Sequence, residues 1–355
     1  MMSGRLVQIV PTLPPAVNGL GDYADLLGRA LRALGVDSHC LVTDPTWTGE
    51  RRDAIRLHQR RAGDLAAALS GSDSVVVHYV NYAYDPRRGW PFWLLDGLAE
   101  AIRRNARLRV IACFHETWAF APPWRKAFWF MPRQRACARR LAALAVRSWT
   151  SNGHYAARID GLLPPDAPRC AVLPVISNVG EPADLRPFAA RAPRLVCFGR
   201  PSNRIRAYRT GAAGLARLCA AHGIQVIDDI GQPLPVGDLP AIPGIQVTAH
   251  GLLPAEGISA LLATARFGLI DNGTGRLAKS GVFAAYASHG CAPVVETDYP
   301  AEDGLTSGVQ MFAVRRGHEN PAAVSAAAST WYRGHGLDVL ARSVAGYVAE
   351  SPCAS

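Results

Sequence analysis

Residues 5–42 run RLVQIVPTLPPAVNGLGDYADLLGRALRALGVDSHCLV. Leu6–Val10 is a short apolar run and reads as a strand, Gly21–Leu34 reads as a helix, and Ser38–Val42 as a second strand. Between the first strand and the helix, Gly19-Leu20-Gly21-Asp22-Tyr23-Ala24 fits a GxGxxA dinucleotide pattern. Gly19 lies about nine residues past the strand end, whereas that fingerprint needs a tight strand-to-helix turn, so the match is read as accidental. What remains is a glycine loop that lets a ligand approach backbone closely, followed by a helix with Asp22 as its expected N-cap.

Working outward, the same alternation recurs twice. In the first half, strands are expected at Leu6–Val10, Ser38–Val42, Ser74–Tyr79, Leu108–Phe114 and near Trp149, with helices at Gly21–Leu34, Phe92–Arg104 and Pro132–Leu144. The Pro/Ala-rich interval LPVISNVGEPADLRPFAARAPR has little periodicity and reads as a linker. A second series follows, with strands at Leu195–Phe198, Ile224–Ile230, Ile245–Ala249, Phe267–Ile270, Ala292–Val295 and Met311–Val314. Helices at Tyr208–His222, Pro254–Ala265 and Ser280–His289 lie between them, and the tail from Asn320 is helical. Strands alternating with helices mean α/β domains whose parallel sheets are covered on both faces. The expected organisation is a first domain over 1–180, a linker over 181–193, a second domain over 194–335, and a C-terminal helix in 336–355 that packs back on the first domain. Two such domains place a ligand in the cleft between them, at the carboxyl ends of the strands.

The 355 residues suit two domains and bury enough surface to fold without staples. The eight cysteines form no CxxC pair and mostly sit in apolar runs, so they are expected to be reduced core residues. No apolar run is long enough to span a bilayer, and the N-terminus reads as a first strand, not a signal peptide. Formal net charge is +10, and lysine occurs only at Lys126 and Lys279. From Thr117 to Ile159 there is no acidic residue, yet eight basic ones, which points to an anionic partner. Trp124, Phe128, Trp129 and Phe130 interleave with Arg125, Lys126, Arg133 and Arg135, the pattern of a segment resting on an anionic membrane surface. The plainer reading is a core helix with a solvated arginine face. Nothing accompanies the charge that would mark a nucleic-acid module.

Three further motifs carry chemistry. His115, in CFHETW, follows a strand that should be central, where an imidazole can hydrogen-bond a sugar hydroxyl or a phosphate. In CFGRPSNRIRAYR, Arg200 ends a strand and Arg204, Arg206 and Arg209 follow, which suits bidentate phosphate recognition or, more plainly, a solvated face. In LAKSGVF, Ser280 is the expected N-cap of a helix opened by Gly281, and Lys279 stands beside its free N–H groups, a ready anion site.

Taken in order, these motifs resemble the glycosyltransferases of the GT-B fold, family 4 (group 1) type, over nearly the whole chain. PPAVNGLGDYADLLGRALRALG resembles the glycine loop and first helix; HYVNYAYDPRRGW and CFHETW resemble the middle of the N-terminal domain; VCFGRPSNRIRAYR resembles the Gly-Arg segment; and KSGVFAAYASHGCAPVV stands where the family carries its acidic motif. The resemblance implies two Rossmann-like domains with parallel sheets facing across a cleft. It implies transfer of a sugar, with retention, from a nucleoside-diphosphate sugar to a glycan or lipid-linked acceptor. It places Gly19, Gly21, Arg200 and Arg204 or Arg206 at the donor diphosphate and His115 at the donor sugar as the catalytic residue, and the anion site read at Lys279, Ser280 and Gly281 would share the phosphate work. Glu116, Trp118 and Tyr82 would serve the acceptor. No metal or other cofactor is implied, because basic side chains and a helix N-terminus stabilise the leaving diphosphate. The protein is expected in the cytoplasm, peripheral on the inner membrane face. The family's two glutamates would fall near Leu277 and Ala285, and neither position is acidic. That departure keeps open a non-catalytic sugar-nucleotide-binding or scaffold subunit. An epimerase on the same fold would need acidic groups that are scarce here.

Overall fold

The computed structural model describes residues 4–16, 18–210, 212–271, 276–296, 298–314, 317 and 319–350. The chain forms two compact units, one running to Leu173 and resuming at Leu337, the other Pro174–Gly336.

The first unit is built on β1 (Arg5–Val10), α1 (Gly19–Ala33), β2 (Asp37–Val42), β3 (Ala54–Arg56), α2 (Ala62–Ala68), β4 (Ser74–Tyr79), α3 (Asn81–Tyr84), α4 (Phe92–Arg104), β5 (Arg109–Phe114), α5 (Lys126–Leu144), β6 (Arg147–Thr150), α6 (Gly153–Asp160) and β7 (Ala171–Val172). Its seven strands are all parallel, in the order β3-β2-β1-β4-β5-β6-β7. The strand order reverses between β1 and β4, so a crevice is expected beyond their carboxyl ends. Both faces are covered, which is why β4 is buried throughout and the central strands read as continuous apolar runs. Two polar residues break that rule: Gln8 on β1 and His78 on β4 are fully buried. The order also explains the glycines of α1. A Cβ on Gly21 would lie 2.7 Å from the Thr12 carbonyl oxygen, and one on Gly28 would lie 2.8 Å from Gln8 Nε2. Only glycine lets this helix pack so close to β1 and its loop.

The second unit comprises β8 (Ala192–Phe198), α7 (Pro201–Thr210), α8 (Ala212–His222), β9 (Val226–Ile230), β10 (Gln246–Gly251), α9 (Ala255–Thr264), β11 (Ala265–Leu269), α10 (Gly281–Ser288), β12 (Ala292–Val295), β13 (Phe312–Ala313) and α11 (Pro321–Arg333). Its six strands are parallel in the order β10-β9-β8-β11-β12-β13, with the reversal between β8 and β11. Tyr286 of α10 sits under that reversal, its hydroxyl 3.0 Å from both Val196 O and Leu269 O. A Cβ on Gly268 would meet the Tyr286 ring at 2.3 Å, so the strand glycine makes room for the ring.

Several expectations are corrected. The interval 181–193 belongs to the second unit: buried Arg191 donates to Arg186 O at 2.9 Å and to Leu262 O and Ala265 O at 3.4 and 3.3 Å. The chain passes between units at Leu173–Pro174. The C-terminal helix expected in 336–355 is α12 (Leu337–Ala349), which lies in the first unit and packs on α1, with Tyr347 meeting the Trp149 ring. The expected helix at Tyr208–His222 is divided: Tyr208–Thr210 close α7, whose polar sequence hid it, and α8 begins at Ala212. Helix α5 begins six residues before Pro132, which sits inside it and cannot donate to the Phe128 carbonyl. The described cysteines are free and buried. No helix among the described residues is long and apolar enough to cross a membrane.

Candidate functional site

At the carboxyl ends of β1, β4 and β5, the polar residues of the first unit form one hydrogen-bonded chain. His115 is the first residue past β5, and its amide donates to the Tyr79 carbonyl at 3.1 Å. Its Nε2 lies 3.0 Å from His78 Nδ1 and 3.2 Å from Cys113 Sγ. His78 Nε2 faces Gln8 Oε1 at 2.9 Å, and Gln8 Nε2 donates to Ser38 Oγ at 3.1 Å. On the other side Trp149 Nε1 donates to the Tyr23 hydroxyl at 3.3 Å. The Tyr23 ring stands edge-on to His115, centroids 4.9 Å apart. Burial pushes His78 down to about 3, so it is neutral, and raises the Cys113 thiol and the Tyr23 hydroxyl well above their usual range. His78 Nδ1, Cys113 Sγ and His115 Nε2 lie within 4.8 Å of one another, a donor set that could hold a metal ion. The hydrogen bonds among them account for that closeness by themselves.

The expected neighbours of His115 divide. Glu116 is exposed beside it, and Tyr82 is half-buried in the short helix that follows β4. Trp118 is half-buried against the core, and Arg158 lies over its ring, 3.9 Å from the centroid, with Arg135 at 5.8 Å. Its ring is thus covered in part by guanidinium groups. Gly19 is exposed in the first turn of α1, and a Cβ there would meet nothing within 4 Å. Gly21 is buried under the Thr12 backbone, so it serves packing, and the N-cap is Asn18, accepting from Leu20 N at 2.9 Å, not Asp22. Asp22, in that first turn, is pushed up to about 6, mainly by desolvation and further by Asp25.

In the second unit the reversal between β8 and β11 gathers the basic motifs. Gly199 has φ +124°, and a Cβ on it would meet Val282 Cγ2 at 3.5 Å, so the loop carrying Arg200 lies against the first turn of α10. Arg200 is exposed there, just before Pro201, which opens α7. Arg206 holds the loop after β11, its Nε 2.9 Å from Asp271 Oδ2 and its Nη2 donating to Asp271 O at 3.2 Å. Arg204 corrects the expectation. It is 1% exposed, its Nε donates to Gly199 O at 3.1 Å, and its other nitrogens bond Asp229 and the Gln232 carbonyl. Those contacts hold two loops together, and burial keeps the guanidinium away from any ligand at the surface.

Lys279 closes a single 3-10 turn, and Ser280 caps α10, accepting from Phe283 N at 3.2 Å. Gly281 opens the helix, with the Asn178 side chain 3.4 Å from where its Cβ would be. Asn178 Oδ1 is buried there without a hydrogen-bond partner. Leu277 and Ala285 are buried in the apolar core, so neither position offers a carboxylate and neither has room for one.

On the first unit, Phe120, Trp124 and Trp129 are 91%, 81% and 68% exposed. A groove of about 800 Å³ beside them is lined by Arg88, Trp90, Lys126, Trp129 and Arg133 among others. Arg133 and Arg88 lie 4.7 and 5.1 Å over the Trp90 ring, and Arg140 pairs with Asp96 at 2.6 Å. Cys137 and Leu141 face the core, as the helical spacing predicts.

Sequence reasoning passed over Gln8, His78, Tyr23 and Trp149. The signal was a polar side chain within an apolar strand, LVQIV and SVVVHY, where an unpaired group would be costly. No protein-family model and no curated protein sequence matches the chain. Solved structures do. An alpha-glucosyltransferase in complex with UDP is 8% identical with TM-score 0.60, covering 98% of this chain and 100% of that one. An α,α-trehalose 6-phosphate synthase from Burkholderia multivorans is 12% identical with TM-score 0.58, covering 98% and 96%. A putative UDP-N-acetylglucosamine 2-epimerase from Listeria monocytogenes is 11% identical with TM-score 0.61, covering 98% and 96%. With its seven- and six-stranded parallel sheets, the chain has the GT-B fold of these nucleotide-sugar enzymes.

Proposed function

We propose that this chain is a retaining glycosyltransferase of the family 4 type, moving a sugar from a nucleoside-diphosphate sugar to a glycan or lipid-linked acceptor. The observation that carries the reading is the basic end of the second unit. Lys279 and Ser280 lead directly into the N-terminus of α10, the loop carrying Arg200 lies against its first turn, and its first N–H groups and dipole favour an anion. As the sugar departs, charge grows on the diphosphate, and donors already in place there stabilise it. Arg200 and Lys279 supply positive charge, Gly281 backbone N–H, and Arg206 holds the Asp271 loop. In this reading no metal is needed for the leaving group. His115 contacts the donor sugar, with Glu116 and Tyr82 on the acceptor side. The exposed aromatic and basic surface at Phe120–Trp129 rests on the anionic inner leaflet, which brings a lipid-linked acceptor within reach.

The buried Leu277 and Ala285 favour one second reading, a non-catalytic subunit that binds a sugar nucleotide. The test is a thermal-shift screen of UDP, GDP, ADP and TDP, followed by incubation with the matching sugar nucleotides. Ligand at ~100-fold over Kd stabilises by ~2.7 kcal/mol. A stabilising diphosphate with slow hydrolysis of its sugar, the anomer retained by NMR, supports the transferase. Binding without turnover under any acceptor supports the subunit. No diphosphate binding at all would remove both.

A further inference from the structure

We propose that His78 Nδ1, Cys113 Sγ and His115 Nε2 form a binding site for one soft monovalent metal ion, and that Cu(I) is the ion that fits. The site goes beyond sugar transfer and does not depend on it.

The sheet builds the donor set. His78 and Cys113 are register partners across β4 and β5, so their side chains leave the sheet on one face. His115 is two residues past Cys113, and alternation returns it to that face. Its Nε2 lies 3.0 Å from His78 Nδ1 and 3.2 Å from Cys113 Sγ, and the three atoms are all within 4.8 Å of one another. An ion bonded at ~2.0 Å to nitrogen and ~2.3 Å to sulfur spaces its ligands roughly 3.3–3.7 Å apart. Hydrogen bonds thus close the set a few tenths of an ångström tighter than an ion requires. His115 stands past the strand end and is only half-buried, so a small outward swing of its ring supplies the difference.

Two features suit the set to a metal. The first lies behind His78, whose Nε2 faces Gln8 Oε1 at 2.9 Å, while Gln8 Nε2 donates to Ser38 Oγ at 3.1 Å. A metal-ligating histidine usually has its far nitrogen held by such an acceptor, which turns the other lone pair toward the ion. The second is charge. His78 and Cys113 are 0% and 2% exposed, so a net charge left between them would be costly. One thiolate and one monovalent cation sum to zero when both rings are neutral, whereas a divalent ion would keep a positive charge in the interior. Thiolate and imidazole are also donors that soft Cu(I) accepts. On binding, a sulfur–copper bond forms and the thiol proton passes to solvent. Each ring bonds through a nitrogen lone pair as neutral imidazole, and the copper stays cuprous throughout. The ion enters on the His115 side, since His78 and Cys113 are both buried.

The test titrates the full chain with Cu(I) under argon against bicinchoninate, a coloured Cu(I) chelator, and records copper K-edge X-ray absorption of the complex. The expected result is one ion per chain, in a shell of one sulfur and two nitrogens. Cys113→Ser should lower the affinity about a hundredfold, and Gln8→Leu, which releases the far nitrogen of His78, about tenfold. Cys353→Ser removes a thiol elsewhere in the sequence and should change nothing. Melting curves without metal show which variants fold. If Cys113→Ser does not, the wild-type absorption spectrum decides the ligands. Wild-type protein that yields all its copper to the chelator, a shell of two sulfurs or none, or equal affinity in a folded Cys113→Ser would overturn the site.

Discussion

Gly199 backs onto Val282, leaving room for little more than a Cβ, which on the glycine would lie 3.5 Å from Val282 Cγ2. There the loop after β8 meets the first turn of α10, which makes two motifs some eighty residues apart neighbours. In the proposed function, an anion at that helix start is held by Arg200 and Lys279. Lys279→Ala should therefore weaken nucleoside-diphosphate binding by tens of fold, since a charged hydrogen bond contributes roughly 1.5–3 kcal/mol. The melting temperature without ligand should not change. Isothermal titration reads the affinity, and an unchanged Kd would remove Lys279 from the site.

Arg200 and Arg204, four residues apart, should behave in opposite ways. Arg204→Ala strands Asp229 in the core beside Tyr208, whose hydroxyl lies 2.8 Å from Asp229 Oδ2. Breaking such a buried pair costs about 3–5 kcal/mol. Arg200→Ala touches an exposed side chain and should change stability by less than ~0.5 kcal/mol while weakening diphosphate binding. Urea unfolding of both variants, with and without nucleotide, separates the roles.

His115→Ala should lower turnover more than nucleoside-diphosphate affinity, because the sugar and not the nucleotide is its proposed contact. Steady-state kinetics beside product titration would show it. Lost product affinity with normal residual turnover would place the histidine at the wrong end of the donor.

Acid should loosen the two units unequally. His289 and His335 of the second unit are each pushed down to about 4 by burial, and His78 of the first to about 3. An unfolded histidine takes its proton near pH 6.5. Below that value the unfolded chain binds protons that the fold refuses, so this stability is full above pH 6.5 and is lost as pH falls toward 4. Each buried histidine contributes a slope of about 1.4 kcal/mol per pH unit. In the first unit Asp22, raised to about 6, acts in the other direction: between pH 4 and 6 the fold holds a proton that the unfolded chain releases. That unit should be nearly level over this range, and the second steep. Trp331 is the sole tryptophan of the second unit. Fluorotryptophan NMR during urea unfolding at pH 7, 6 and 5 would therefore follow it separately from Trp149. Equal slopes would contradict the assignment.

Binding to anionic vesicles should depend on Trp124, Arg125, Lys126 and Trp129, and should weaken with salt. Arg133, Arg135 and Arg140 are poorer probes, because they stack on Trp90 and Trp118 or pair with Asp96. At ~1 kcal/mol for each basic residue near the surface, Arg125→Gln with Lys126→Gln should lower vesicle affinity ~30-fold in a co-sedimentation assay. Wild-type protein remaining in the supernatant at low salt would point to a soluble acceptor.

The alternation of apolar strands and helices was enough to read two parallel-sheet units, because strands buried on both faces must be apolar along their whole length. It also located His115, Arg200 and Lys279–Gly281 at the ends of strands or the start of a helix, since those positions follow from local pattern. Three things depended on tertiary structure. The arginines of RPSNRIRAYR look alike in sequence, and only packing buried Arg204 on Asp229 while leaving Arg200 exposed. The tail helix was expected on the first domain, but its partner there, α1, some three hundred residues earlier, is a long-range contact that no local period encodes. Gln8, His78 and Cys113 are isolated polar or sulfur-bearing positions in separate strands. They became a hydrogen-bonded chain to His115 only when parallel register set them side by side, in an interior where each polar group had to find a partner.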